Sequence, residues 1–580
     1  MKNCDTALED LVVLLLDCQT TGANPRSGSV IEIGWARSDA LGDGEEVSGI
    51  NARIFKKPSD FEIPARVQKI TGINMDDIVA GSDPEDVWAE ILTTAEAVVR
   101  LNRKQMCPTV IHFAKFELPF LTKLHAMFGA KKDFPFTFIC THEISRHLFP
   151  ELPRRSIRAI AGYFGHSLHE LRRCREHVQA TAIIWREILR VLRERHGIKT
   201  FEQLMGWLHQ PKVIVSTSRS YPMSAHALQR LPQNPGVYRM LRSNGDVLYV
   251  GKANSIKQRV RSYFRKGSRH PEHILEMLSQ AKRLDLTVTE SVLEAAILES
   301  DDIKRLMPQY NIALRKGNRD VWFYSNDFCE YGPQPTRRHK IGPIVDREAM
   351  SNFAAIIRVT EMGDISGTAP ELLMSGIGVP EGFAPEYKCI KAGYEIFMKR
   401  HAGVLRRRAA AQSLNAVGRQ LWIERQKGKI CENTEMEDLV LRSIEIPAWT
   451  PDSVCRLIES NVIRAGHAMR RAHWFIMLTE STLGWIESSV SDGSYFLIVF
   501  EKGQILYRRV QTMGELPIPP GHRRHFIEKQ RSFDTMTYDR MRVVTTEIRK
   551  VISSGRWFEI RFTPVNTLGC DDLINLLSWV

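Results

Sequence analysis

The sequence predicts a multidomain protein of the α/β class, and three observations lead to that prediction. The chain has 580 residues, which at roughly 100–200 residues per domain is enough for about three to five domains. Hydrophobic residues make up 43% and charged residues 25%, the proportions of a folded globular protein rather than a disordered or collagen-like one. Short β-like runs alternate with helix-period segments, a pattern that is typical of mixed α/β layers.

The first region begins with a strand and a hairpin. The apolar run LVVLLL (residues 11–16) is typical of a buried strand, and after the turn-forming TTGANPRSG the run VIEIGWAR alternates like a second strand. A third extended run around 52–55 is followed by a helix in EDVWAEILTTA, a strand in CPTVIHFA and a helix in FELPFLTKLHAMF, and 172–195 is basic and helix-periodic. We predict one α/β domain over 9–195 and a linker over 196–227.

A second domain is predicted over residues 228–325. Its β-rich runs GVYRML and VLYVGKA are separated by SNGD, a hairpin signal because Asn-Gly tolerates positive φ. An extension and a basic helical region follow over 326–470, where residues 399–429 hold nine Lys or Arg and one Glu. In 471–580 the runs HWFIMLTE, SYFLIVFEKGQILYRRV and WFEIRFTPV are β-like and TYDRMRVVTTEIRKVIS is helical. These patterns predict a C-terminal α+β domain, for which the sequence offers no motif.

The charge of the chain favours a polyanionic partner. Lys and Arg total 80 against 67 Asp and Glu, a formal net charge of +13. Residues 1–100 hold 9 basic against 18 acidic residues, or −9, so residues 101–580 carry 71 against 49, or +22. A basic surface gives affinity for phosphate backbones without sequence information. Nucleic acid is therefore one interpretation, and a solvated basic surface on an unrelated enzyme is the other.

Cysteine spacing and hydropathy exclude several classes of protein. The ten cysteines form no CxxC pair and no CxxC followed by HxxxH, so neither a zinc finger nor a disulfide framework is predicted. The N-terminal segment has an acidic flank and only six consecutive apolar residues, too few for a signal peptide, and no run approaches eighteen apolar residues. We expect a cytoplasmic protein with no membrane partner.

A series of motifs in the second domain resembles the GIY-YIG nuclease family. The motifs are GVY from Gly236, LYVGKA over 248–253, Lys257, Arg259, SYF over 262–264, and EAAILESDDIKRLMPQYN ending at Asn311. They most resemble the incision domain of the UvrC and Cho type. The resemblance implies a small α+β domain that hydrolyses phosphodiester bonds with Mg²⁺ or Mn²⁺. It also implies double-stranded, damaged DNA as substrate and damage-recognition proteins of the UvrA and UvrB type as partners.

The chemistry of this reaction explains the residue types. Hydrolysis of a phosphodiester needs an activated water, a divalent cation and fixed positive charge around the pentavalent transition state. Glu299 lies in an apolar-periodic segment and offers a carboxylate to Mg²⁺, and one carboxylate suffices because this cation keeps several waters. The resemblance implies a catalytic set of Tyr238, Tyr249, Lys252, Arg259, Tyr263 and Glu299.

Within this set the resemblance gives Tyr249 or Tyr238 the role of general base or water-orienting group, and Arg259 that of stabilising phosphate charge. A tyrosine has an unperturbed pKa of about 10, so nearby cations and the metal would have to lower the pKa of a tyrosine base. Side chains of helices and motif ends can reach phosphates. We expect DNA contacts from Lys257, Arg261, Asn311, Arg406, Arg407 and Arg408.

Three motifs in the first domain resemble those of the DEDDh 3′–5′ exonucleases, and they imply an RNase H-like exonuclease fold. They are LLLDCQTTG (14–22), IHFAKFELPFL (111–121) and REHVQATA (175–182). In that family the first motif is D-x-E, the second carries an aspartate after a phenylalanine, and the third is a histidine followed five positions later by an aspartate. The matching residues here are Asp17, Gln19, Glu117, His177 and Ala182.

Two of these residues predict a weakened exonuclease site. Gln19 lacks the negative charge and Ala182 has no ligand atom, whereas two cations about 3.5–4 Å apart need several anionic ligands. We predict weak or absent exonuclease activity, with a substitute acid such as Glu176 or Glu32 as the alternative. The domain then serves to dock DNA, a clamp or a partner protein, or is a retained sheet with no role in nucleic-acid binding.

The sequence leaves three functions open. The first is a Mg²⁺-dependent GIY-YIG DNA endonuclease for nucleotide excision repair, with one incision per binding event because no second nuclease domain or helix-hairpin-helix tail is recognisable. The second is a bifunctional nuclease whose first domain is an active 3′–5′ exonuclease. The third is a non-catalytic DNA-repair scaffold.

Overall fold

The structure is a computed structural model, and it divides the chain into two units. The first unit comprises residues 1–290 and 306–312, and the second comprises 291–305 and 313–580. The residues that the structure describes are 6–39, 47, 49–58, 60–129, 133–150, 152–168, 170–210, 221–265, 268–311, 320–378, 385–405, 409–427, 449–486, 493–531 and 533–578.

The first unit opens with a mixed five-stranded sheet of the RNase H-like exonuclease kind, as predicted. The first two strands form an antiparallel hairpin, the first and fourth are parallel, and the sheet order is β3-β2-β1-β4-β5. The strands are β1 Val12–Thr20, β2 Val30–Asp39, β3 Asn51–Ile54, β4 Cys107–Ile111 and β5 Phe136–Cys140. The helices are α1 Ala65–Thr71, α2 Met75–Val79, α3 Pro84–Asn102, α4 Ala114–Phe128, α5 Thr141–Leu148, α6 Ile157–Tyr163, α7 Cys174–His196 and α8 Phe201–Leu208.

Strand β1 is apolar on both faces because helices cover both sides of the sheet. Val13 and Leu15 face the core that contains Ile188 of α7. Leu14 and Leu16 face a second core, built with α3 and α4. Alternate residues of a strand point to opposite faces, so burial of both faces produces the unbroken run LVVLLL. The predicted hairpin is confirmed, and α8 forms inside the segment predicted as a linker.

The second domain of the first unit is a small antiparallel sheet with flanking helices. Its order is β7-β6-β8, and the SNGD turn of the predicted hairpin holds Gly245 at φ 97°, in the left-handed region that favours glycine. The elements are α9 Ala225–Gln229, β6 Gly236–Leu241, β7 Val247–Ala253, α10 Ile256–Phe264, α11 Glu272–Leu278 and β8 Arg283–Val288.

A buried hydrogen-bond network joins this small domain to the exonuclease-like domain inside the first unit. The Arg242 side chain is 2% exposed, and it donates to Ser167 Oγ at 3.0 Å, Gln280 Oε1 at 3.0 Å and Gln309 Oε1 at 2.6 Å. Gln309 in turn donates through Nε2 to the Leu168 carbonyl at 2.8 Å. A buried guanidinium is costly unless its donors are satisfied, and here residues from both domains accept them.

The second unit contains helix α12, a three-stranded sheet, a helical region and a C-terminal five-stranded sheet. The sheets have orders β10-β9-β11 and β14-β13-β12-β15-β16, and the second is antiparallel throughout. Its helices are α12 Val292–Leu306, α13 Arg347–Met362, α14 Pro370–Ile377, α15 Tyr387–Arg400, α16 Ala402–Leu405, α17 Ala410–Lys427, α18 Pro451–Leu478, the 3-10 helix Pro520–Arg523, α19 Phe526–Arg531, α20 Thr535–Ser553 and α21 Cys570–Leu577. Its strands are β9 Trp322–Tyr324, β10 Tyr331–Gly332, β11 Ile341–Ile344, β12 Thr482–Trp485, β13 Ser494–Glu501, β14 Gln504–Thr512, β15 Phe558–Arg561 and β16 Thr567–Leu568.

One predicted β-like run is wrong. HWFIMLTE is the end of the long helix α18, and the strand β12 starts only at Thr482. Trp474, Phe475 and Ile476 are all buried, so this end of the helix is apolar around most of its circumference. A short, continuously apolar run does not distinguish a buried strand from a buried helix end.

Helix α12 is fixed to the C-terminal sheet and its helices. Leu293 and Ile297 belong to the apolar core that contains Trp485 and Tyr538. Three ion pairs surround this apolar contact: Glu294 with Arg508 at 2.6 Å, Asp301 with Arg540 at 3.0 Å, and Lys304 with Asp539. Among the described residues, no helix is long and apolar enough to cross a membrane.

Candidate active sites

Three tyrosines and an arginine form a cluster at the first hairpin of the small domain. Tyr238 on β6 is fully buried, and its hydroxyl lies 3.1 Å from the Tyr263 hydroxyl on α10. The ring of Tyr249 on β7 lies 6.1 Å from Tyr238 and 6.4 Å from Tyr263, measured between centroids. The Arg259 guanidinium lies 5.2 Å from the Tyr263 ring centroid. The structure thus brings together Tyr238, Tyr249, Arg259 and Tyr263, as the motif order predicts.

Two glycines of the motifs make room for this cluster. A Cβ at Gly251 would lie 2.4 Å from the Tyr238 hydroxyl oxygen and 2.8 Å from Tyr249 Cε1. A Cβ at Gly236 would lie 2.3 Å from the Thr287 carbonyl oxygen of the neighbouring strand. Contacts this short do not occur in folded proteins, so the glycines are needed because the backbone approaches the tyrosines and strand β8 closely.

The environment keeps Tyr238 neutral and Arg259 charged. Burial, together with the neighbouring Tyr249 and Tyr263, raises the pKa of Tyr238, and Arg259 offsets only part of this increase. Burial lowers the pKa of Arg259, but Tyr238 and Tyr263 outweigh it, so the net pKa of the guanidinium is raised. A cation that stays protonated beside a half-buried phenol, Tyr249, is suited to an anionic phosphate.

The remaining predicted residues of this site lie on different elements of the chain. Lys252 is half-buried on β7, and Lys257 and Arg261 are on α10, where Arg261 is exposed and donates to the Leu228 carbonyl at 3.2 Å. Glu299 is half-buried on α12, in the second unit. Asn311 is 8% exposed, and its amide accepts from Val250 N–H at 2.9 Å and donates to Val250 O at 2.8 Å.

The Asn311 amide therefore holds strand β7 through hydrogen bonds with the backbone of Val250. Its contact with DNA stays a prediction. The three consecutive arginines that were predicted to contact DNA lie outside the described residues; they are Arg406, Arg407 and Arg408.

The exonuclease-like site is assembled from β1, α4 and α7. Asp17 and Glu117 are each 4% exposed, and Asp17 Oδ1 lies 3.1 Å from His177 Nδ1. Burial tends to lower the pKa of His177, but the charge and hydrogen bond of Asp17 outweigh it, so the net pKa of the histidine is raised. Burial and then the charge of Asp17 raise the pKa of the Glu117 carboxyl. Asp17, Glu117 and His177 thus come together as the motifs predict.

Both acids proposed as substitutes have other partners. Glu32 is 2% exposed and accepts from the Arg173 guanidinium at 2.8 Å and from Cys174 N–H at 3.0 Å. Glu176 accepts from Arg173 N–H at 2.6 Å, at the beginning of its own helix α7. The Arg173 guanidinium neutralises the charge of Glu32. Glu176 caps the beginning of helix α7.

The positions of the two lost ligands differ in their surroundings. Ala182 is fully buried and packs in the apolar core that contains Val178 and Trp185. Gln19 is half-buried on β1, paired in register with Glu32. A charged aspartate at position 182 would be placed in an apolar core, which is expensive without a partner.

The donor set does not fit a two-metal centre. Asp17 Oδ2 and Glu117 Oε2 are buried with no hydrogen-bond partner among the described residues, so each acid has one oxygen available. Burial and the charge of Asp17 both raise the pKa of Glu117, so the two carboxyl groups disfavour each other's ionisation. No group of three or more His, Cys, Asp or Glu side chains arranged to hold a metal ion occurs in the described part of the chain.

Sequence reasoning missed several residues that shape the two sites. His270 stacks on Tyr263 with ring centroids 5.9 Å apart and contacts its carbonyl through Nε2 at 2.9 Å. Cys18 and Cys174 are buried near Asp17, and burial raises the pKa of both thiols well above the usual range. These residues carry no spacing signal, because only the tertiary fold brings them to the motif residues.

Comparison with family models identifies both domains. Residues 14–170 match the family described as Exonuclease, and residues 234–312 match the UvrC-like GIY-YIG domain. The UvrABC system protein C of Clostridium botulinum (strain Langeland) is 34% identical over 143 residues, which cover 23% of each chain. The corresponding protein of Gluconobacter oxydans is 37% identical over 129 residues, 22% of this chain and 20% of that protein. The chain thus spans about a quarter or less of the length of these curated relatives.

Solved structures match the same two regions. The magnesium-bound GIY-YIG N-terminal endonuclease domain of UvrC from Thermotoga maritima is 32% identical, covers 15% of this chain and 93% of its own, and has a TM-score of 0.14. Exonuclease X in complex with 5′ overhanging duplex DNA is 18% identical, with coverage of 31% and 92% and a TM-score of 0.22. The family matches and the geometry together show that the chain carries an exonuclease-family domain followed by a UvrC-like GIY-YIG domain.

Proposed function

We propose that the protein is a divalent-metal-dependent GIY-YIG endonuclease that cuts DNA in the incision step of nucleotide excision repair. The observation that carries the proposal is the cluster of Tyr238, Tyr249 and Tyr263 with Arg259, for which Gly251 leaves room. Each of these side chains belongs to a motif of the matched family, and the cluster combines a fixed cation with phenol groups.

The residues of the cluster take different roles in this proposal. Arg259 binds the phosphoryl group and stabilises the charge that develops in the transition state. Tyr249, which is half-buried, orients the attacking water and, in its phenolate form, receives the proton of that water. The raised pKa of Tyr238 keeps its phenol protonated, so this tyrosine does not accept the proton. Its hydroxyl instead holds the Tyr263 hydroxyl in place. Lys252 adds positive charge next to Gly251 on the same strand.

Glu299 is the proposed ligand of the metal ion, either Mg²⁺ or Mn²⁺. Its carboxylate is half-buried on a helix that ion pairs of Glu294 and Asp301 hold on either side. One fixed carboxylate fits a cation that retains most of its waters. When bound, the ion would polarise a phosphoryl oxygen and lower the pKa of a water molecule.

Double-stranded DNA with a lesion is the proposed substrate. The net charge of +22 over residues 101–580 favours a phosphate backbone, and Lys257 and Arg261 lie on the same helix as Arg259. Delivery by UvrA- and UvrB-type proteins and a cytoplasmic location are part of the proposal. They rest on the family match and on the sequence expectations rather than on a contact in the structure.

The exonuclease-like domain is proposed to act in docking. Its acids are too few for two cations, and its residue Ser167 and the Leu168 carbonyl join the buried network around Arg242. One docking partner of this domain is therefore the GIY-YIG domain of the same chain. An active 3′–5′ exonuclease is the alternative function, and the experiment below distinguishes the two.

The test is cleavage of a duplex with one bulky lesion, labelled at either strand end, in Mg²⁺ and with or without damage-recognition proteins. We expect a discrete nick from the wild type that disappears in EDTA, in Arg259→Ala and in Glu299→Gln. Removing one transition-state donor costs about 10²- to 10³-fold in rate. Gln258→Ala, at an exposed position on the same helix, is the matched control and should cut normally.

Three outcomes would change the assignment. Nicking that survives both Arg259→Ala and Glu299→Gln would contradict the GIY-YIG assignment. A ladder of shortened products that Asp17→Ala abolishes would establish the exonuclease instead. A protein that binds damaged DNA and cuts under no condition would be a scaffold.

A further inference from the structure

A cavity of about 560 Å³ lies in the second unit, beside the three-stranded sheet and helix α13. It is lined by aromatic, cationic and amide side chains, which include Tyr324, Phe328, Tyr331, Arg347, Asn352 and Arg358. Its size is within the usual range for small-molecule and cofactor sites. None of these residues belongs to the sites described above.

The aromatic rings of the cavity form a connected group. Tyr324 lies 5.6 Å from Tyr331 and 6.2 Å from Phe328, measured between ring centroids. The Arg347 guanidinium lies 4.7 Å from the centroids of both Trp322 and Tyr331, and it donates to the Tyr331 hydroxyl. Tyr331 is nevertheless 45% exposed, so one edge of the aromatic group faces solvent and can receive a flat ligand.

A buried amide in the cavity wall lacks a partner. Asn352 is 6% exposed, and its Nδ2 makes no hydrogen bond with any described residue. Nearly all buried polar groups in proteins are paired, and leaving one unpaired costs about 1–3 kcal/mol. Because the Nδ2 atom is itself buried, the side chain must turn toward the cavity before a ligand acceptor can pair with it.

The charges at the rim favour an anionic ligand. Arg347 and Arg358 are exposed at the cavity. The acid that lines it, Glu348, lies 3.6 Å from Arg464, a residue that also pairs with Asp346 at 2.8 Å. The nearby acids of the β9–β10 connection are likewise engaged, since Asp327 accepts from Ser325 and Glu330 from Arg338. Asp327 keeps its negative charge, because a hydroxyl partner does not neutralise it. Neither Arg347 nor Arg358, however, forms an ion pair with a described residue, so both charges are available to an anionic ligand.

We propose that this cavity binds one unpaired nucleobase of a DNA strand. The base would stack on the aromatic group, and its flanking phosphates would meet Arg347 and Arg358. Its acceptor edge would pair with Asn352 Nδ2 once that amide turns toward the cavity. The inference rests on the proposed nuclease function for the choice of nucleic acid, and it adds a preference for a strand that is locally open. A lesion that weakens base pairing supplies such a base.

The test measures binding of the full-length protein in EDTA to two fluorescent duplexes, one fully paired and one with a short unpaired bubble that contains 2-aminopurine. We expect the wild type to bind the bubble more tightly and to quench 2-aminopurine through stacking. Tyr331→Leu should weaken binding to the bubble by about 5- to 150-fold, the loss expected for one stacked base. Arg358→Ala should also weaken binding to the bubble, and both variants should bind the paired duplex like the wild type.

A matched control comes from a second exposed arginine–tyrosine pair in the same unit. Arg509 lies 5.6 Å from the ring of Tyr507 on β14, outside the cavity, so Tyr507→Leu and Arg509→Ala should bind both duplexes like the wild type. Equal binding of the two duplexes by the wild type, or an equal loss on both in Tyr331→Leu, would overturn the proposal. Thermal unfolding of each variant identifies any that is misfolded, and Arg358→Ala, an exposed site, keeps the test valid if Tyr331→Leu does not fold.

Failure of this inference is separable from failure of the nuclease proposal. Arg259→Ala should lose nicking in Mg²⁺ and still prefer the bubble in EDTA. A wild type that prefers the bubble but never cuts would retain the nucleobase site and refute the endonuclease. A wild type that cuts but binds the two duplexes equally would support the endonuclease and refute the nucleobase site.

Discussion

The exonuclease-like domain and the GIY-YIG domain both place motif residues on the first strand of a sheet and on a helix beside it. In the GIY-YIG domain, Gly251 leaves the space that Tyr238 and Tyr249 occupy. In the exonuclease-like domain, Ala182 fills an apolar core and Glu32 is bound to Arg173. The difference teaches that a family fold does not by itself preserve the family's ligand set, because the packing of a site and the side chains that line it are separate properties of the sequence.

The largest expected effect is a loss of nicking when the space beside Tyr238 and Tyr249 is filled. Gly251→Ala places a Cβ 2.4 Å from the Tyr238 hydroxyl and should lower the nicking rate by about 100-fold, since misplacement of about 1 Å has that cost in catalysis. Gly206→Ala is the matched control, because a Cβ there meets nothing within 4 Å. Nicking rates of the two variants measure the effect, and normal cutting by Gly251→Ala would show that the cluster is not the active site.

The next effect is on stability, through the hydrogen-bond network that Arg242 makes between the exonuclease-like domain and the GIY-YIG domain. Arg242→Met leaves buried Gln280 and half-buried Ser167 and Gln309 without their donor, and we expect the free energy of unfolding of the first unit to fall by about 3 kcal/mol. Urea unfolding should show this, while Arg283→Met, at an exposed position on β8, should leave the midpoint unchanged. An unchanged midpoint in Arg242→Met would mean that the docking contact contributes nothing to stability.

A smaller effect concerns acid stability of the exonuclease-like domain. Burial holds the pKa of His112 at about 3, with its ring nitrogens 2.9 Å from Thr141 Oγ1 and 3.0 Å from the Arg155 carbonyl. Below about pH 6.5, the usual pKa of histidine, the imidazole at position 112 binds a proton only in the unfolded chain. The folded state therefore loses stability as the pH falls below about 6.5. The loss from this group should be about 2 kcal/mol between pH 6.5 and 5.

His112→Gln tests this dependence. The variant should be less stable at pH 7 and should lose less stability than the wild type on acidification, as judged by urea unfolding at pH 7 and pH 5. His209→Gln is the control, because His209 is exposed. This variant should show the pH dependence of the wild type. Identical pH dependence in His112→Gln would show that this histidine is not the acid-sensitive group.

The smallest effect is expected at the exonuclease-like site itself. Asp17→Asn should change nicking by less than about two-fold and should lower the pKa of His177, because burial then acts without an opposing charge. The stability that this pair contributes is present below the unfolded pKa and is lost as pH rises through the raised pKa of His177. NMR titration of histidine-labelled protein measures the pKa, and a large loss of nicking would give this site a direct part in the reaction.

Sequence patterns predicted the two hairpins and the tyrosine cluster well, because periodicity and motif order are local. They did not predict the short strand β5. They also missed the helical end of α18, which is buried on most sides and therefore loses its period. The partners of Glu32 were also out of reach, since Arg173 lies 141 positions away along the chain. Whether a conserved-looking acid is free or already paired is decided only by the tertiary fold.

The three ion pairs on helix α12 have a consequence for how such a protein could be rearranged by gene fusion. The segment from Val292 to Arg305 lies inside the stretch that matches the GIY-YIG family, yet its apolar face packs on the C-terminal sheet and helices, and its ion pairs are with β14 and α20. A recombination event that cut the gene after residue 325 would leave Leu293 and Ile297 without their core. A fusion junction that keeps the packing of α12 intact must therefore keep this helix together with the C-terminal region that covers it.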